Sequence, residues 1–141
     1  MANLRFRILG GLHVGVYRLT GGKVGGKIGK ARVLLLTTIG RKTGRPRTTP
    51  LLYAPAGDGY AVIASKGGAP QHPLWYLNLQ ANPRAEVTVG GKTRQLHARD
   101  AEGEERERLW RALTDMYSGY DTYAQKTSRR IPVIVLEPEA H

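Results

Sequence analysis

The chain has 141 residues, 40% of them hydrophobic, and a formal net charge of +11 at neutral pH. That length suits one domain around one core, and no apolar run reaches the ~18 residues of a membrane span. The absence of cysteine excludes disulfides, thiolate metal sites and cysteine nucleophiles, which fits a cytoplasmic protein. The charge is one-sided: residues 1–50 hold eleven Lys and Arg and no acid, while residues 51–141 hold eleven of each sign. Such a field favours an anionic partner: nucleic acid, anionic lipid, or a phosphorylated or carboxylated small molecule. The plain alternative is a solubility device with no dedicated partner.

Residues 3–19 read as an amphipathic helix, with Leu4, Ile8, Leu12, Val16 and Leu19 at helical spacing and Arg5, Arg7 and Arg18 beside them. It either caps the core or lies on the anionic inner face of the cell membrane. "GGKVGGKIG", 21–29, is a flexible linker. It misses a phosphate-binding P-loop because Ile28 stands where Ser or Thr should ligate magnesium. Helix and linker, 1–30, thus precede a domain over 31–141.

"RVLLLTTI", 32–39, is a near-continuous apolar strand, and "RTTPLLYAP", 47–55, is the next, with Pro50 marking an edge or a bulge. "AGDG" turns the chain into a third strand, 60–65. Pro73 opens a short helix within 72–82, and Pro83 stops it. "AEVTV", 85–89, and 92–98 form a hairpin across Gly90-Gly91. Asp100 is expected to cap a helix over 101–116, and 131–138 is the last strand. About six strands joined mostly by hairpins indicate a mainly β (α+β) fold: a small antiparallel barrel with peripheral helices.

Three stretches can carry chemistry. In "TTIGRKTGRPRTTP", 37–50, the cations Arg41, Lys42, Arg45 and Arg47 sit at a hairpin tip between two strands. Gly40 and Gly44 allow positive φ, so successive N–H groups can converge on an anion, and Arg47 can clamp a phosphate with two bonds. The alternative is a solvated loop that keeps an edge from aggregating. In "IASKGGAPQHPLWYLNL", 63–79, a strand runs into Ser65, Lys66, Gly67 and Gly68, then a helix bearing Trp75. This backbone can approach a planar heterocycle, or it is a connecting loop with Trp75 in the core. In "MYSGYDTYAQ", 116–125, Tyr117, Tyr120 and Tyr123 share one face at three-residue spacing, either as walls for an aromatic substrate or as core packing. His13, His72, His97 and His141 lack metal-ligand spacing, and no nucleophile or acid–base pair is evident, so no metal site is expected and a cofactor should carry any reaction.

In this order the motifs "YRLTGGKVGG", "VLLLTTIGRKTGRPRTTPL", "ASKGG" followed by "PLWYLNL", "NPRAEV" and "IPVIVLEP" resemble the deazaflavin (F420)-dependent nitroreductase family. These are split β-barrel oxidoreductases related to FMN-binding proteins, and the likeness covers about residues 12–138. The resemblance implies coenzyme F420, a hydride carrier with a phosphodiester and an acidic tail. It places Arg41, Lys42 and Arg47 at the phosphate, with Pro50 beside them. It places Ala64, Ser65, Lys66, Gly67 and Gly68 along the deazaflavin ring, with Trp75 nearby, and Tyr117, Tyr120 and Tyr123 around the substrate. It implies hydride transfer to a small-molecule electron acceptor such as a quinone, an enoate or a nitroaromatic, a menaquinone-like acceptor first among them, with Ser65 or Tyr120 stabilising negative charge on the acceptor. Thr49 and Leu52 depart from the Asn and the aromatic expected in nitroimidazole-activating members, so the resemblance does not decide that activity.

Dimers are common among such barrels, so a homodimer is one expected assembly. FMN in the same phosphate site is the alternative cofactor, and a non-catalytic lipid-surface module is the alternative class. Nucleic acid is not expected, because residues 20–50 contain no aromatic side chain to stack on bases.

Overall fold

A computed structural model describes residues 32–139; the helix and linker expected over 1–30 lie outside the described residues. The first strand, β1 (Arg32–Ile39), is buried without a break from Leu34 to Thr38, which is why it lacks polar alternation. Strands β2 (Pro46–Ala56) and β3 (Gly59–Ile63) follow as hairpins, and a 3₁₀ turn spans Lys66–Gly68. Helix α1 (Leu74–Ala81) leads into the hairpin of β4 (Arg84–Val89) and β5 (Lys92–Asp100). Helices α2 (Gly103–Met116) and α3 (Gly119–Lys126) precede β6 (Val133–Glu137).

The strands run β1-β2-β3-β6-β5-β4, and β4 pairs back onto β1, so six antiparallel strands close a barrel. This is the small antiparallel barrel with peripheral helices that the strand pattern indicates. β2 pairs with β1 along 46–53 and with β3 only at 54–56. Pro50, opposite Leu35, therefore lies where no β3 residue waits on its other side. The ring's missing N–H costs nothing there, which accounts for a proline inside a long strand.

Alternation divides the apolar residues between two layers. Leu34, Leu36, Val62, Val87, Leu96, Ile134 and Leu136 point inward and meet Trp75, Tyr76 and Leu79 of α1. Ala61, Ile63, Val133 and Val135 point outward and are covered by Leu109 and Leu113 of α2 and by Tyr120 of α3. Each large aliphatic side chain so buried contributes about 1.5–3 kcal/mol. β3 and β6 thus carry core on both faces, and the segments following them inherit fixed positions.

Gly90 and Gly91 take φ of +57° and +82° in the two-residue turn of the β4–β5 hairpin, the conformation that a glycine pair supplies. Asp100 does not cap α2. It ends β5 opposite Ile134, and its carboxylate accepts the Tyr76 hydroxyl at 2.7 Å. Burial and that bond push the Tyr76 phenol up to about 12. Glu102 stands at the N-cap position instead. Arg99 pairs with Glu105 at 2.6 Å and with Glu137 at 2.7 Å, tying the first turn of α2 to β5 and β6.

Candidate functional site

The basic hairpin tip is a closed turn. The Gly40 N–H donates to Arg45 O, the Gly44 N–H to Gly40 O, and the Arg45 N–H to Thr43 Oγ1. The Arg41 N–H donates to Asn78 Oδ1 at 3.1 Å. Four of the turn's N–H groups are therefore engaged within the protein and do not converge on an anion, contrary to the glycine-based expectation. Only Gly44 of the two glycines has positive φ, +71°. Gly40 is required for space, because a Cβ there would stand 2.8 Å from Thr43 Oγ1.

The side chains are what the turn offers. Arg41, Lys42, Arg45 and Arg47 are exposed, and among the described residues none is paired with a carboxylate. Arg41, Lys42 and Arg47 line a cavity of about 580 Å³ together with Thr49, Trp75 and Asn78. Leu74, 68% exposed, stands at the same cavity. The space thus has a cationic wall and an apolar wall, within the usual size range for a cofactor site.

Asn78 sets the relation between those walls. It is buried on α1, its Nδ2 donates to Thr38 Oγ1 at 3.1 Å, and its Oδ1 holds the Arg41 N–H. Thr38 is itself fully buried. One amide thereby fixes the hairpin tip against the helix that carries Trp75. Its signal in the sequence is a lone amide inside the apolar run "LWYLNL".

The second segment is built differently. Ala64 and Ser65 are buried where β3 ends, and the Ala64 N–H donates to Pro132 O. Lys66, Gly67 and Gly68 then take φ of +47°, +63° and +83°. Gly68 leaves no room for a side chain: a Cβ would stand 2.7 Å from Tyr123 O and 3.0 Å from Tyr123 Cα. The turn is docked on α3. Arg129, which belongs to no sequence motif, donates to the carbonyl oxygens of Ala64, Ser65 and Ala69.

The tyrosines meet one another. Tyr117 precedes α3, yet its ring lies 5.2 Å from that of Tyr120 and 6.0 Å from that of Tyr123, and the hydroxyls of Tyr117 and Tyr123 are 2.8 Å apart. Tyr120 is buried against Leu109 and Leu113, and burial pushes its phenol well above the usual range. Tyr117 is also raised, first by its bond to Tyr123 and then by burial. The fold therefore brings Ala64–Gly68 to the tyrosine cluster, and Arg41, Lys42 and Arg47 to Trp75. The 580 Å³ cavity is lined by neither the tyrosines nor Ala64–Gly68, and Pro50 lies exposed just past Thr49 at its edge.

Solved structures with this fold include HutZ, the heme storage protein from Vibrio cholerae, 17% identical with a TM-score of 0.60 over 85% of this chain and 90% of that one. The barrel is thus of the split-barrel type. The sequence model of the F420H(2)-dependent quinone reductases matches residues 10–138. An F420H(2)-dependent quinone reductase of Mycobacterium tuberculosis (strain ATCC 25618 / H37Rv) is 45% identical over 129 residues, 89% of this chain and 87% of the relative. The solved F420-H2 dependent reductase FDR-A is 44% identical, with a TM-score of 0.69 over 74% of this chain and 93% of that one. A further structure with the same identity and TM-score, over 74% and 79%, is described as a domain-swapped dimer. The chain belongs to the F420H(2)-dependent quinone reductase family. It is an F420-dependent oxidoreductase, and coenzyme F420 is its cofactor.

The residues present fit that group. Unpaired cations suit a phosphodiester and an acidic tail, and Trp75 beside them offers a flat apolar wall to a ring system. Among the described residues no helix is long and apolar enough to cross a membrane.

Proposed function

We propose that the chain reduces a quinone-like acceptor, with the basic hairpin holding the anionic end of coenzyme F420 and the Ala64–Gly68 turn lying along its ring. The observation that carries this reading is the set of three carboxylate-free cations, Arg41, Lys42 and Arg47, on one wall of a cavity whose other wall holds Trp75. When bound, reduced F420 supplies a hydride. The chain's own residues orient the partners and exclude water. Pro50 and Thr49 flank the cationic wall. Lys66, Gly67 and Gly68 present backbone without intervening side chains at the two glycines.

Tyr117, Tyr120 and Tyr123 form the acceptor side. The Tyr120 phenol, which burial raises further from its ordinary value, is protonated at neutral pH as any tyrosine is and can donate a hydrogen bond. Ser65 offers a hydroxyl at the start of the turn; either group can hold negative charge developing on the acceptor. The assembly is a homodimer, by analogy with the domain-swapped relative. The enzyme works in the cytoplasm, with its N-terminal segment at the inner face of the membrane where a lipid quinone resides.

The test is an equilibrium titration with F420 by cofactor fluorescence, with FMN alongside at equal salt. Tight, salt-sensitive F420 binding and weak FMN binding are expected. Preferential FMN binding would overturn the cofactor assignment, and F420 binding insensitive to salt would remove the hairpin from the site.

A further inference from the structure

Arg129 lies in the connection between α3 and β6, far in sequence from the segment that it contacts. Its Nη2 donates to Ser65 O at 2.7 Å, and its Nε donates to Ala69 O at 2.8 Å. Both Nη groups reach Ala64 O at 3.2 Å, and Nη1 meets His72 Nδ1 at 3.0 Å. No ion pair joins it to a carboxylate among the described residues. A planar fork with five donors is satisfied here by one short stretch of chain, residues 64–72.

That stretch needs holding. Lys66 has the only positive φ of a non-glycine among the described residues, +47°. Such a conformation persists only where the surroundings over-determine it. The backbone bonds within the turn are two, Gly68 N–H to Ser65 O at 2.9 Å and Ala69 N–H to Lys66 O at 3.1 Å. Arg129 grips the carbonyl side of the segment at both ends, while Gly68 is pressed against Tyr123. A lysine has the charge but not the fork, and cannot reach Ala64, Ser65 and Ala69 together.

We infer that Arg129 is a positioning residue for the cofactor: it locks the Ala64–Ala69 segment in the left-handed turn that receives the deazaflavin ring, without contacting the phosphate end. This rests on the ring assignment proposed above. The two basic regions then control different parts of one ligand. Arg129 governs affinity for the ring, and the hairpin governs affinity for the anion attached to it.

The experiment compares F420 with its ring-and-ribityl fragment, which lacks the phosphate and the acidic tail. It uses the full chain, Arg129→Lys, Arg129→Gln, and the doubly substituted Lys42→Ala/Arg47→Ala protein. The Arg129 variants are expected to lose about tenfold to a hundredfold in affinity for both ligands by the same factor. The hairpin variant should lose affinity for F420 and keep it for the fragment. Amide exchange at Gly68 and Ala69 should accelerate in Arg129→Lys while β1 and β4 stay protected. Arg129→Lys binding both ligands like the parent would overturn the inference alone. Failure of the fragment to slow exchange at 65–68 in the unsubstituted protein would overturn the ring assignment, and the inference with it. In the unsubstituted protein the Arg129 Nε–H should exchange slowly and shift when the fragment is added; a fast, unshifted signal would also overturn it, whether or not the variants fold.

Discussion

At the β1–β2 tip, Arg41, Lys42, Arg45 and Arg47 stand exposed and unpaired with carboxylates, while the turn's own N–H groups are bonded inward. At the Lys66–Gly68 turn the arrangement is reversed: the arginine beside it is bonded inward, and the backbone is what the segment presents. Both regions carry cations, but the first leaves four exposed while the second exposes Lys66 and commits Arg129 to backbone carbonyls. Charge count therefore says little about recognition until each cation's partners are known. In the proposed reading the hairpin acts through side chains and the second turn through backbone shape.

The largest test of this contrast sets two glycines against each other. Gly68→Ala places a Cβ 2.7 Å from a backbone oxygen at φ +83°, so strain and collision add. A loss of about 2–4 kcal/mol is expected in denaturant unfolding, with weakened F420 binding. Gly44→Ala, at φ +71° with nothing within 4 Å, should cost only the strain of about 1–2 kcal/mol. Equal losses would mean that the turn is not pressed against α3. Next in size is Lys42→Ala/Arg47→Ala, for which the F420 dissociation constant should rise about 10–100-fold, or about 1.4–2.7 kcal/mol, with a shallower salt dependence and unchanged stability. Asn78→Ala should follow. It strands the Arg41 N–H and removes the partner of buried Thr38, so about 1–3 kcal/mol of stability is expected to go, with a smaller fall in affinity than the double variant. Full affinity in Asn78→Ala would show that the tip does not need its anchor.

Much of the fold was legible because the strands carry period-two patterns or unbroken apolar runs bounded by glycine and proline. The β4–β5 hairpin follows directly from Gly90-Gly91 between alternating strands, and the placement of Pro50 where β2 has no neighbour on the β3 side follows from its missing N–H. The basic cluster was legible as four cations at a hairpin tip for the same local reason. Asp100 was misread because a carboxylate before a helix is a common cap, and only the barrel brings Tyr76 to it across 24 residues. Asn78 and Arg129 were not legible for the same cause. Their partners, Thr38 and Arg41 in one case and Ala64, Ser65 and Ala69 in the other, are 37 to 65 positions away. The tyrosine spacing indicated one helical face, whereas the chain breaks at Tyr117 and gathers the three rings by packing.

The smallest expected effect separates the two regions by pH. Arginine only donates, so His72 Nδ1 must accept from Arg129 and the imidazole is neutral in this arrangement. Burial first, and then the Arg129 charge, lower the His72 pKa from 6.5, while Asp100 opposes the shift. The ring of Tyr76, 4.8 Å away, adds no charge. A histidine with a depressed folded pKa contributes its stability above the unfolded value, and the contribution is lost as pH falls from about 6.5 through the depressed value. Glu105, held low by Arg99, loses its contribution only below about pH 4.5, outside that window. Unfolding midpoints at pH 7.5 and 5.5 should therefore fall slightly more for the parent protein than for His72→Gln. The protection factor at Ala69, whose carbonyl Arg129 holds, should fall at the lower pH, while those of the hairpin amides bonded to Arg45 O and Gly40 O should not respond. Identical pH slopes for parent and variant would mean that His72 does not sense Arg129, and the second turn would then be held by the carbonyl contacts and Gly68 alone.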